Sequence, residues 1–134
     1  MLKRVVEEAG WESVSVLIPP GFVVRADEAG LAQAVANVLR NAVQASRGGP
    51  VFVSATEDRD WVRLEIADDG PGFPEELLPR IFDPFTHRPH AAAGLGIGLM
   101  VVRRLIERMG GMVRVRNREE GGAEVLIELP SGRL

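Results

Sequence analysis

An α+β domain is what the sequence predicts: a two-layer α/β sandwich with a mixed, mostly antiparallel sheet and helices on one face. Three observations carry this. Two amphipathic stretches with helical spacing are each closed by a Gly-Gly pair. The alternating, strand-like segments between and after them come in hairpin pairs, which favours antiparallel ladders. The chain has 134 residues, 46% of them hydrophobic and none of them Cys. That is enough for one core without disulfides or a thiolate metal site.

Residues 1–10 read as the tail of a helix or a linker, and residues 1–12 are expected to be what remains of a connection to an upstream domain. Ser13 to Ile18 is a strand closed by Pro19-Pro20-Gly21, and Phe22-Val23-Val24 is a second, short one. Asp27 is a suitable N-cap, and from there to Ser46 the pattern is helical. Leu31, Val35, Val38, Ala42 and Ala45 recur at spacings of four, three, four and three, one apolar stripe. Gly48-Gly49-Pro50 ends that helix.

Val51 to Ala55 and Trp61 to Ile66 form the next two strands, joined through Glu57-Asp58-Arg59-Asp60. Val62, Leu64 and Ile66 face inward, Arg63 and Glu65 outward. Residues 69–96 are rich in Gly, Pro and Ala, with one turn of helix at Glu75 to Leu78. So long a stretch with little regular structure is usually functional. A second amphipathic helix runs from Ile97 to Met109, its apolar side made by Val101, Val102, Leu105, Ile106 and Met109. After Gly110-Gly111, Met112 to Arg116 and Ala123 to Leu129 close the domain as a hairpin around Gly121-Gly122.

Several function classes fall away on composition. No apolar run approaches the roughly 20 residues of a membrane helix, and no signal peptide opens the chain. A cytoplasmic setting is the expectation. The formal charge of -3 argues against a general nucleic-acid binder. Any anion must be held by local geometry.

Three local features carry chemistry. Gln33, Asn37, Asn41 and Gln44 form a polar, uncharged stripe opposite the apolar one. Asn is a poor mid-helix residue because its side chain competes for backbone hydrogen bonds. Two readings are open: exposed or locally bonded amides, or amide oxygens converging on a hydrated metal such as Mg²⁺, which keeps several waters and takes few protein oxygens alongside substrate phosphates. Next, Ala67-Asp68-Asp69-Gly70-Pro71-Gly72-Phe73 follows the strand ending at Ile66. It reads either as an ordinary turn or as a carboxylate presented beside side-chain-free backbone, accepting from an amino group. Last, Gly94-Leu95-Gly96-Ile97-Gly98-Leu99 leads into the second helix. It reads either as a flexible loop, which often carries such glycines, or as a helix N-terminus whose N–H groups are exposed to an anion. The spacing is neither that of a dinucleotide fingerprint nor that of a P-loop.

The order of these features, with Phe82-Asp83-Pro84-Phe85 between the second and third, resembles the ATP-binding catalytic domain of sensor histidine kinases, in the gyrase/MutL/histidine-kinase superfamily with the Bergerat fold. Asn37 to Ala42 is similar to the family's N box, Asp68 to Gly72 to its G1 box, Phe82 to Phe85 to its F box and Gly94 to Leu99 to its G2 box. The resemblance covers about Val14 to Leu129. It implies ATP and Mg²⁺ as ligands. Asn41 would be the metal ligand and Asn37 would contact phosphate or metal-bound water. Asp68 would accept from the adenine amine, with Gly70 and Gly72 shaping the pocket. Gly94, Gly96 and Gly98, with Leu95 and Leu99 between and after them, would let a lid close on the phosphates, anchored by Phe82 and Phe85. Arg88 sits where short-lidded relatives carry a Lys, and is the candidate γ-phosphate contact.

Two departures from the family pattern bear on the reaction. Gln44 stands where many relatives have a phosphate-reaching Lys. Asn37 stands where hydrolysing members place a Glu base, and an amide cannot take a proton from water. The resemblance therefore implies phosphoryl transfer to a partner residue rather than hydrolysis. His87 and His90 both lie in the expected lid and lack the context of a phosphoacceptor. The acceptor would be a His on the kinase's own dimerisation/phosphoacceptor helical domain, with a response regulator as the indirect partner and ADP as product. Residues 13–134 would be the catalytic unit, a monomer in isolation. An anti-sigma-type protein-serine kinase and a non-catalytic ATP-sensing module share these boxes and stay open.

Overall fold

In the computed structural model, residues 1–19, 21–83 and 98–132 are described. They form α1 (Leu2–Ala9), β1 (Val14–Leu17), α2 (Glu28–Ser46), β2 (Val51–Asp58), β3 (Trp61–Asp68), a 3-10 segment (Glu75–Arg80), α3 (Gly98–Arg108), β4 (Met112–Asn117) and β5 (Ala123–Pro130). The strands make one sheet in the order β1-β2-β3-β5-β4. Among the described residues only β1 and β2 pair in parallel, Val14 opposite Val51, because the whole of α2 returns the chain between them. The hairpins β2-β3 and β4-β5 and the β3-β5 pair are antiparallel. The mixed, mostly antiparallel sheet with its helices on one face is thus present.

Local chemistry accounts for the central helix. The Asp27 side chain accepts from the Gly30 N–H at 2.9 Å, satisfying one of the donors that a helix start leaves unpaired. Leu31, Ala34, Val35, Val38, Leu39, Ala42 and Ala45 are all buried. This stripe is wider than the expected one, because α2 packs on both the sheet and α3. The left-handed closing position falls on Arg47 (φ 52), one residue ahead of Gly48.

The sheet meets the helices through Val51, Val53, Leu64, Ile66, Val125, Ile127 and Leu129, against Val102 and Ile106 of α3. Leu2, Val5 and Val6 of α1 join the same core. On the other face, outward residues pair across strands. Glu128 accepts from Arg114 at 2.9 Å, and Glu124 from the Nε–H of Arg116 at 2.8 Å.

Several element bounds differ from expectation. The β2 and β3 strands run on to Asp58 and Asp68, since the ladder pairs them through a two-residue turn at Arg59-Asp60. The expected strand at Phe22–Val24 is reduced to one bridge, Val24 with Ser131. The turn of helix at Glu75 is a 3-10 segment extending to Arg80. Among the described residues no helix is long and apolar enough to cross a membrane.

Leu39→Ala is expected to cost about 2–5 kcal/mol of unfolding free energy, because it empties the interior between α2 and the sheet. Phe52→Ala, on the exposed face of β2, should cost under about 1 kcal/mol. Urea denaturation compares the two, and equal losses would contradict the core placement.

Candidate functional site

Asp68 organises the site. It is the last residue of β3 and falls on the helix side of the sheet, in phase with Val62, Leu64 and Ile66. Only 3% of it is exposed. A buried carboxylate must be hydrogen-bonded. Its Oδ1 accepts the N–H of Gly70 at 2.9 Å and that of Ala123, at the start of β5, at 3.3 Å. The main-chain carbonyl of Asp68 accepts from Arg118 at 2.9 Å.

The loop after Asp68 is pressed between two elements. A Cβ on Gly70 would lie 2.7 Å from the carbonyl oxygen of Ala45, in the last turn of α2. Ala45 is four residues beyond Asn41, hence one turn away on the same helix face. The loop therefore lies beside the turn that follows Asn41. Gly72 has φ 75, and a Cβ there would lie 2.8 Å from Oδ1 of Asn117. Both glycines are needed for chain-on-chain contact.

Phe73, Ile81 and Ala123 are buried in a small second cluster, with Leu78, Phe82, Leu99 and Val115 packed against it. This cluster ties the loop, the 3-10 segment and β5 to the first turn of α3. Leu99 thereby puts the first described turn of α3 beside the Asp68 loop. Among the described residues nothing stands within 4 Å of a Cβ built on Gly98. The Phe82 ring carries the guanidinium of Arg103 at 5.5 Å from its centroid.

On α2, Asn37 and Asn41 are half-buried, whereas Gln33 and Gln44 are exposed. Arg40 donates to Oδ1 of Asn37 at 3.1 Å, so that amide does have a local partner. No group of three or more His, Cys, Asp or Glu that could hold a metal exists among the described residues. A cation here would rest on neutral amide oxygens and on whatever anion it accompanies. That donor set fits Mg²⁺, which brings its own waters and shares phosphate oxygens.

Phe85, Arg88, Gly94, Leu95 and Gly96, with His87 and His90, lie outside the described residues. An apolar cavity of about 310 Å³, lined by Leu2, Val16, Ile18, Leu31, Ala55 and Leu64 among others, opens elsewhere. Ala55 and Leu64 pair with each other, four positions along β3 from Asp68, so this space is apart from the site.

Sequence reasoning missed Asn117, Arg118 and Gly122. A Cβ on Gly122, at φ 85, would collide with the Asp68 carbonyl oxygen. The sequence signal for Gly122 was its place after Gly121 in what read as an ordinary hairpin turn. Arg118 and Asn117 sat in a polar run with no periodic feature.

The profile of the histidine kinase-, DNA gyrase B-, and HSP90-like ATPases matches residues 26–133. The chain belongs to this family. It is 37% identical over 113 residues to the C4-dicarboxylate transport sensor protein DctB of Pseudomonas aeruginosa, covering 81% of this chain and 18% of that protein. The mycobacterial sensor histidine kinase MprB superposes with a TM-score of 0.83 at 32% identity, over 99% of this chain and 92% of that one. Full-length ShkA in complex with AMPPNP gives a TM-score of 0.81 at 32% identity, over 99% of this chain and 30% of that one. The chain thus spans less than a fifth of DctB. The fold is that of histidine kinase catalytic domains.

Gly121 and Gly122 give a test of the contact under Asp68. Both have positive φ, but nothing lies within 4 Å of a Cβ on Gly121. Gly121→Ala should cost about 1–2 kcal/mol through backbone strain alone. Gly122→Ala should cost at least about 2 kcal/mol more, because a steric clash with backbone is added. Thermal melts of the two variants that coincide would rule out the close approach.

Proposed function

We propose that this chain is the ATP-binding catalytic domain of a two-component sensor histidine kinase. It binds Mg-ATP and transfers the γ-phosphoryl group to a histidine on a separate dimerisation/phosphoacceptor helical domain. The observation that carries this is the convergence of the buried Asp68, the Asn41 face of α2 and the N-terminus of α3 around one loop. Relatives that are sensor histidine kinases support it, as does the AMPPNP complex of ShkA.

Each residue then has a task. Asp68 accepts from the adenine exocyclic amine, which guanine lacks at that position. Its carboxylate is held in place by Gly70 and Ala123, so little reorganisation accompanies binding. The N–H groups at the start of α3 favour phosphate, with Gly98 leaving room for close approach. Asn41 holds Mg²⁺, and Asn37 contacts phosphate or metal-bound water once Arg40 yields its oxygen. Bound Mg²⁺ neutralises charge on the phosphates. Arg88 supplies a further cation to the γ-phosphoryl group, and Phe82 and Phe85 anchor the lid that carries Gly94 and Gly96.

Because Asn37 cannot act as a base, water is not activated and the phosphoryl group passes to a better nucleophile, an imidazole. A response regulator receives it afterwards. Residues 1–12 lead into the catalytic unit at 13–134, which acts in the cytoplasm as a monomer, with no nucleic-acid partner.

Two measurements test this. Incubation with radiolabelled ATP and a separately produced dimerisation/phosphoacceptor domain should label that domain, and the label should survive base but not acid. Acid-stable label would indicate a serine kinase, and absence of label with intact ATP binding would leave an ATP-sensing module. Calorimetric titration should give Asn41→Ala at least about tenfold weaker ATP binding with Mg²⁺ present, the loss of roughly one charge-assisted contact. Without Mg²⁺ the variant and the parent should agree. An unchanged response to Mg²⁺ would remove Asn41 as the metal ligand.

A further inference from the structure

Asn117 ends β4, and its side chain follows Val113 and Val115 on the inward side of the strand. There it would be a third core residue, yet it carries a carboxamide. Both halves of that amide engage one residue of the Asp68 loop, 44 positions away. Oδ1 accepts the Phe73 N–H at 2.8 Å, and Nδ2 donates to the Phe73 carbonyl at 2.8 Å. The two bonds fix the orientation of the amide, since a flip would set donor against donor and acceptor against acceptor.

The clamp sits where the loop has least support of its own. Gly72 is in the left-handed region, and Pro74 has no N–H to give. Oδ1 of Asn117 also occupies the space that a side chain at position 72 would need. The loop is thus held at two points: at Gly70 by Asp68 and the end of α2, and at Phe73 by Asn117. Pro71 and Gly72 span the interval, and Asp68 lies two residues before Gly70.

We infer that Asn117 is a positioning residue for base recognition. It acts through Phe73, fixing the loop whose Gly70 N–H orients the Asp68 carboxylate. The inference rests on the reading of Asp68 as the acceptor for the adenine amine. Only a side chain with one donor and one acceptor at this reach serves the clamp. In Asn117→Asp the shape is kept, but a carboxylate oxygen faces the Phe73 carbonyl and the loop is pushed off its seat.

The test compares ATP with ITP, whose base carries a carbonyl where adenine has the amine. Parent, Asn117→Asp and Asn117→Ala are titrated with both by calorimetry, after circular dichroism has established folding. The parent should prefer ATP. In both variants ATP affinity should fall at least about tenfold while ITP affinity changes less than about threefold, so the preference narrows. If both nucleotides weaken by the same factor, Asn117 acts on stability alone and the inference is overturned. If the parent itself does not distinguish ATP from ITP, the role of Asp68 fails and the inference falls with it. Should neither variant fold, hydrogen exchange of the Phe73 amide in the parent decides. ATP should slow it several-fold more than ITP at equal saturation, and equal protection would overturn the proposal.

Discussion

A single buried carboxylate constrains how this domain is put together at one end. Leaving Asp68 out of water without partners would cost several kcal/mol. The fold supplies N–H donors from both directions, the loop that follows β3 and the first residue of β5. Neither can reach Oδ1 unless the loop doubles back and the β4-β5 turn presses against it. Gly70, Gly72 and Gly122 are the residues whose lack of a side chain permits those approaches. The sheet order follows the same requirement. Inserting β5 between β3 and β4 brings the closing hairpin of the chain beside a loop from its middle.

The fold was largely legible because its elements announce themselves locally. The four-and-three spacing in α2, the alternation in β3 and the Gly-Gly stops each depend on neighbours in sequence. Bounds were missed where a partner strand decides them. Nothing within Ala67-Asp68 says that the ladder continues, but Val51 and Phe52 stand opposite and extend it. Phe22-Val23-Val24 has the composition of a strand, yet finds a partner only at Val24, so composition alone overstated it.

The candidate site was legible in its primary residues and hidden in its supports. Asn37 and Asn41 stand out because Asn is unusual in mid-helix, whereas Asp68, Gly70 and Gly72 have the composition of a turn and were singled out by the order of the motifs. Asn117 and Arg118 do not, because a polar residue at a hairpin end is ordinary. Their significance lies in bonds to Phe73 and Asp68 that cross 44 and 50 positions of sequence. The glycines also changed meaning. Their missing side chains were expected to make room for a ligand, whereas Gly70 and Gly72 face protein atoms; of the expected box glycines among the described residues, Gly98 is the one with open space beside it.

The division of the interior into two clusters has a consequence for how the domain opens. The main core holds the sheet to α1, α2 and α3, whereas among the described residues Phe73, Ile81 and Ala123 form a smaller, separate cluster. Free energy of opening scales with the apolar surface that must be exposed. The outlying cluster can therefore loosen at a fraction of the cost of global unfolding, with the sheet and α2 left intact. The rigid part of the molecule and its adaptable part then have separate stabilities. Sequence change could retune the response of one without endangering the other.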